Sequence, residues 1–316
     1  MQFAYILNMQ HTLTNSVIFK GKGLHSGLPV MMTVSPALAN EGIRFIRKDI
    51  DDNNVIPAQY DLVEQSQLCT RLRNKDNVTI STVEHVMAAL VGCGIDNATI
   101  IVDGPEIPIM DGSSLPFVEA FQNIGVQPLG TKRHAIRVLK DIEVHGEDGA
   151  YAKFTPDTQS SFEFTIDFDN RFIGRQNMEF TLGDHNAFLN ELADSPTFTT
   201  KNQIEQLRSL GLIKGGDHTN ADVYAEDAVY RDKSRPRKDQ AAVRHKILDA
   251  VGDCGLAGAP IYGRYVGYKA GHAITNKLLH ALFADKNAYT IVTDELGIAQ
   301  PSHIHQSENA KLAYNA

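Results

Sequence analysis

His245 and Asp249 stand four residues apart in Arg244-His245-Lys246-Ile247-Leu248-Asp249-Ala250-Val251-Gly252-Asp253. On a helix this spacing stacks them on one face, and Asp253 continues that face one turn later, with Ile247, Val251 and Cys254 opposite. A metal ion needs ligands that converge from one direction, and i, i+4 supplies two. The same spacing describes the solvated polar face of an amphipathic helix, the commoner origin of a bare His-x-x-x-Asp. Glu84-His85 is a second pair. A ligand histidine beside a glutamate would set a general base next to a water on the metal. In the competing arrangement Glu84 closes a capping box with Ser81, and His85 packs on the helix surface. His272, in Gly271-His272-Ala273, falls on a loop between a strand and a helix, where catalytic groups are common and structural turn histidines are too. Thr197-Phe198 offers a hydroxyl as an anion donor. Arg231, Lys233, Arg235, Arg237 and Lys238 form a basic run that suits either phosphates or a solvated loop.

These residues need elements to hold them. Ser81 to Cys93 is predicted as a helix, capped by Ser81 and ended by Gly94. A buried strand follows at Ala98 to Val102, then a turn at Pro105 to Ser114 and a helix from Leu115. Gly21, Gly23 and Gly27 crowd a turn that leads into the alternating strand Val30 to Val34. A composition shift at Gly130 to His134 marks a domain boundary, giving domains 1–130 and 131–316. Beyond it come strands at Ala135 to Leu139, Ala152 to Phe154 and Phe162 to Phe168. Thr200 to Leu210 is predicted as a helix with a Thr200/Gln203 capping box. Asp217 to Asp239 is predicted as a long polar loop. Ala241 to Cys254 is a helix, Ile261 to Tyr268 a strand and Thr275 to Phe283 a helix. Each half runs strands, a helix with a histidine near its start, then a strand. The expected fold class is α+β, as two similar domains, each a sheet packed with helices.

Composition narrows the function. The chain has 316 residues, 42% hydrophobic and 22% charged, with a formal net charge of −8. That is ordinary globular composition, with no overall basic field for nucleic acid or anionic lipid. The three cysteines, Cys69, Cys93 and Cys254, form no CxxC, which argues against a disulfide framework and for a reducing cytoplasm, and Cys93 and Cys254, on apolar helix ends, are expected as buried thiols. The apolar stretch Phe3 to Leu7 lacks the basic flank and length of a signal peptide, and no apolar run suits a membrane helix. The glycines at 21, 23 and 27 miss the dinucleotide fingerprint, and no GxSxG, HExxH or Walker A motif occurs.

Taken in order, Ser81-Thr82-Val83-Glu84-His85, Gly94-Ile95-Asp96-Asn97, Glu106-Ile107-Pro108-Ile109-Met110-Asp111-Gly112-Ser113, the His245 helix and Gly271-His272-Ala273 resemble the UDP-3-O-acyl-N-acetylglucosamine deacetylases, zinc enzymes of lipid A synthesis. Gly23-Leu24-His25-Ser26-Gly27 fits the same family. The resemblance implies an active site between two α+β domains. It implies zinc held by His85, His245 and Asp249, with Glu84 as general base. It further implies Lys246 and Thr197 at the oxyanion, His272 as a charged group near the leaving amine, and Asp253 orienting it. A segment at about 194–216 resembles the family's acyl-chain passage, with Phe198, Ile204, Leu207, Leu210 and Ile213 as lining candidates and His25 near the site. The implied partner is a UDP-linked acylated glucosamine. No nucleic acid and no stable membrane insertion are expected, and the chain is expected to be a cytoplasmic monomer.

Two stretches depart from the family pattern. Ser195-Pro196-Thr197-Phe198 stands where Ala-Arg-Thr-Phe is usual, and Pro236 to Val243 replaces the usual lead into the His-Lys helix. They motivate an alternative: a non-catalytic or substrate-shifted relative that binds a UDP-sugar lipid or a pathway partner.

Overall fold

The computed structural model describes residues 8–64, 68–183 and 185–293. The stretch Phe3 to Leu7 and the tail beyond residue 293 lie outside these. The described chain is α+β, with two principal sheets and helices packed against them. The first sheet has five strands, in the order Val17–Lys22, Pro29–Pro36, Ala98–Val102, Ile43–Arg47 and Val55–Pro57. The predicted hairpin is its edge: Val30, Met32 and Val34 turn inward while Met31 faces out. The second sheet has seven strands, centred on Ile261–Tyr268, and uses only residues after 133.

Two buried helices, Glu84–Gly92 and Ala241–Gly255, carry the residues of the site. Helix α1 is Glu84–Gly92. Helix α2 is Leu115–Ile124 and α3 is His185–Glu191. Helix α4 is Lys201–Ser209, α5 is Ala241–Gly255 and α6 is His272–Ala284. In α1 nearly every position is buried, as expected of a helix apolar all round. Helices α1 and α5 pack on each other. Gly252 permits their close approach, because a Cβ there would sit 2.1 Å from the Glu84 carbonyl oxygen. Each principal sheet contains the same unit. Ile43–Arg47 runs parallel to Ala98–Val102 with α1 in the connection, and Ser160–Asp167 runs parallel to Ile261–Tyr268 with α5 in the connection. The buried apolar residues of both sheets nonetheless merge into one cluster.

Three expectations change. Ser81 ends a strand and makes no cap; α1 begins at Glu84 after Val83, so the Glu84 carboxylate is free to face the cleft. The polar stretch 217–239 is not all loop: Asp222–Tyr224 and Val229–Tyr230 pair with Phe198–Thr200 in a small sheet, which braces the insert. His272 is the first residue of α6 rather than a loop residue, with Gly271 in extended backbone before it. The Thr200/Gln203 capping box of α4 forms as predicted.

Candidate metal centre

The alternative of a solvated helix face is overturned. His245, Asp249 and Asp253 are 3%, 5% and 4% exposed. A buried stripe of polar groups on an apolar helix must find partners, because unsatisfied it would be costly. The partner comes from α1. His85 meets His245 edge to face, with ring centroids 5.1 Å apart. Asp249 Oδ1 lies 3.6 Å from His85 Nε2 and 3.4 Å from His245 Nε2. One donor atom from each of the three falls within 4.8 Å of the others.

The donor chemistry fits a divalent ion. The His245 Nδ1 hydrogen bonds to the Ser195 carbonyl at 3.0 Å, which leaves Nε2 as a lone-pair donor. Burial drives the His245 pKa down to about 3, so the ring is neutral as a ligand must be. Asp249 Oδ1 and His85 Nδ1 are buried without a hydrogen-bond partner in the protein. The second Asp249 oxygen is held by Lys246 Nζ at 2.6 Å. Burial opposes the Asp249 charge, but its neighbours, with Lys246 foremost among the cations, outweigh it and keep the carboxyl well below its usual range. Two imidazoles and one carboxylate are ligand types that zinc takes in open, hydrolytic sites.

Around this cluster stand the other predicted residues. Glu84 is 3% exposed, and burial raises its pKa against the opposing pull of His272 and His85. One of its oxygens accepts the Thr70 N–H at 3.0 Å, and the other lies 3.9 Å from His272 Nε2. His272 Nδ1 is 2.7 Å from Asp253. Burial works against the His272 cation, but Asp253, Glu84 and Asp249 prevail and lift its pKa to about 9. Lys246 likewise loses hydration yet is raised by Asp249, Asp253 and Glu84.

A cavity of about 730 Å³ opens over the cluster. Thr197, Phe198, Ile204, Leu207, Ile213 and His25 line it, as do His85, His245, Lys246 and His272. Leu210 does not; it is 55% exposed at the end of α4. Phe198 packs edge-on against His245 and Tyr224. The Thr197 N–H bonds to the Gly112 carbonyl, where φ is +81° and a Cβ would collide with the Asn220 carbonyl, so the Asp111-Gly112 turn fastens the insert.

The basic run is largely committed within the protein. Arg235 pairs with Asp111, Arg237 with the buried Asp222 at 3.0 Å, and Lys238 with Asp194 at 2.8 Å. It secures the lead into α5 and leaves few of its charges for a phosphate.

Sequence reasoning missed Thr70, whose hydroxyl donates to Asp253 at 2.5 Å while its N–H holds Glu84. It also missed the Ser195 carbonyl and Glu106, which lay inside a quoted motif but carried no assigned role. Cys69, Cys93 and Cys254 are all buried and form no disulfide among the described residues.

Fold and site together define an α+β protein with a buried two-histidine, one-carboxylate cluster at the floor of a largely apolar cavity. A family model described as UDP-3-O-acyl N-acetylglycosamine deacetylase matches residues 10–284, and the chain belongs to that family. A UDP-3-O-acyl-N-acetylglucosamine deacetylase of Pasteurella multocida is 41% identical over 286 residues, covering 90% of this chain and 93% of its own length. One of Haemophilus influenzae is 41% identical over 288 residues, with the same coverage. One of Idiomarina loihiensis is 42% identical over 286 residues, covering 90% of this chain and 92% of its own. Among the described residues, no helix is long and apolar enough to cross a membrane.

Proposed function

We propose that this protein is a zinc-dependent amidohydrolase that removes acetate from UDP-3-O-(3-hydroxyacyl)-N-acetylglucosamine in lipid A biosynthesis, acting in the cytoplasm of a Gram-negative cell. The observation that carries the reading is the juxtaposition of Glu84 and His272 with His85, His245 and Asp249 under the insert-lined cavity. The division into domains 1–130 and 131–316, with the cleft between them, belongs to the same reading.

His85, His245 and Asp249 would hold the zinc. When bound, zinc supplies a Lewis acid that polarises the amide carbonyl and acidifies water. Glu84, with its proton affinity raised by burial, takes the proton from the attacking water as its oxygen adds to the acetamide carbon. Lys246 and the Thr197 hydroxyl donate to the oxyanion that develops there. His272 is held as a cation by Asp253 and gives a proton to the amine as the carbon–nitrogen bond breaks, releasing acetate and the free glucosamine nitrogen. Phe198, Ile204, Leu207 and Ile213 enclose the acyl chain, which keeps a half-lipid substrate out of water.

The test is acetate release from the UDP-linked substrate, with bound zinc measured alongside. Wild type should turn over, and Glu84→Ala should retain zinc and lose about 10²–10⁴-fold in rate. Zinc with no turnover of any acylated UDP-glucosamine would sink the reading. Pro196, in place of the family's arginine, favours a shifted acyl preference as the second reading, which the same assay decides across chain lengths.

A further inference from the structure

We propose that Glu106 is a positioning residue that couples two walls of the cleft: the Gly23–Gly27 loop that carries His25, and the backbone that enters Glu84 and His85. The proposal rests on the deacetylase reading. Glu106 takes no part in the chemistry above, yet it is a carboxylate only 2% exposed. One oxygen accepts the His25 N–H at 2.8 Å and the Thr82 hydroxyl at 3.1 Å, and the other accepts the Ser26 N–H at 2.9 Å. Two backbone N–H groups and a hydroxyl thus converge on the two carboxylate oxygens, which act as acceptors for all three.

Each wall depends on it for a different reason. Thr82 has φ of 61°, a region that β-branched residues rarely adopt, and it stands two residues before Glu84. Its hydroxyl bond to Glu106 helps hold that backbone, and main-chain bonds from Ser81 to Pro105 and from Ile107 to Ser81 clamp the same segment. On the other wall, a Cβ on Gly23 would stand 2.3 Å from the Glu106 carboxylate and 2.2 Å from Ser26 Oγ. The loop therefore wraps the carboxylate at a distance that only glycine permits. The loop also grips the insert: the Lys214 and Gly215 N–H groups bond to the His25 and Leu24 carbonyls at 3.2 and 3.0 Å. His25 lines the cavity with both ring nitrogens buried and unpartnered by protein. Slackening this carboxylate should loosen a substrate-facing wall and shift the base-bearing helix together.

Glu106→Gln keeps the size but turns one acceptor oxygen into an amide that opposes a backbone N–H. It should fold, retain zinc and lose about 10–100-fold in kcat/KM, as supporting groups around metal sites do, with KM raised. In a His25→Ala background, the same substitution should leave KM unchanged, because the loop has lost the side chain it positions. Unaltered kcat/KM in folded Glu106→Gln, or KM effects that simply multiply in the double variant, would overturn the proposal. If Glu106→Gln does not fold, Gly23→Ala displaces the loop from the carboxylate and carries the same two readouts. If the wild type releases no acetate, the deacetylase reading fails by itself, and the Glu106–His25 coupling is then read from calorimetric binding of UDP.

Discussion

Two histidines of the buried cluster, His245 and His272, differ in protonation state, and their surroundings set this. His245 is buried against an apolar helix pair and stays neutral, while burial of His272 is outweighed by carboxylates that lift it to about 9. The His272 cation is therefore present below pH 9 and lost above it. If that cation serves the leaving amine, kcat/KM should fall as pH rises through about 9. Asp253→Asn removes the foremost group that raises His272, so the basic limb should move to lower pH. A pH profile from about pH 5 to 10 measures it, and a limb that stays in place in Asp253→Asn would assign it to another group. The clustered His85, His245 and Asp249 were named from the sequence through the ordered motifs of the family resemblance, whereas helical spacing alone left a solvated face as the commoner reading. Thr70 could not be named so: its partners lie 14 and 183 positions away, so only the folded chain brings it between Glu84 and Asp253. The Ser195 carbonyl was hidden for another reason. A backbone acceptor has no residue type, and it survives the change of the neighbouring arginine to Pro196.

Helices α1 and α5 form the frame on which these residues sit. Their contact is set by Gly252, whose missing Cβ leaves room for the Glu84 carbonyl at 2.1 Å from the position it would take. Ordinarily alanine stabilises a helix over glycine by about 1 kcal/mol. Here the backbone of the partner helix is in the way, and overpacking costs about 1–3 kcal/mol. Gly252→Ala should thus lower Tm and, by pushing at Glu84 itself, reduce turnover more than its stability loss explains. Thermal melts with acetate release on the folded fraction check this, and a variant with raised Tm and full activity would contradict it. Most element positions were predictable from hydrophobic periodicity and glycine stops, α5 and the strand Ile261–Tyr268 to within a residue. The start of α1 was misjudged, because Ser81-x-x-Glu84 satisfies the capping pattern while Glu84 is drawn to Thr70 and His272 instead. The short strands at 222–224 and 229–230 escaped notice because their charged flanks resemble a solvated loop, whereas Arg237 is buried against Asp222.

Across the whole molecule, charge and metal raise connected questions. The net charge is −8, and three members of the basic run that stood out in the sequence, Arg235, Arg237 and Lys238, are paired with Asp111, Asp222 and Asp194. Positive charge lining the cavity then comes from Lys246 and His272, both held beside carboxylates, and from Arg208 on α4. A divalent ion at Asp249 would add to this local field and join α1 to α5, since His85 comes from one and His245 and Asp249 from the other. Such a cross-link binds only the folded chain, because the unfolded chain does not hold three ligands together. Linkage then stabilises the fold by about 4 kcal/mol when free metal is 1,000 times its Kd. Stripping the ion with a chelator should lower Tm by several degrees, and restoring zinc should recover it. In His85→Ala the chelator should have much less effect, since one of the two helices has lost its ligand. Differential scanning calorimetry with and without chelator makes the comparison. An equal chelator-induced drop in wild type and His85→Ala would place the stabilising ion elsewhere in the molecule.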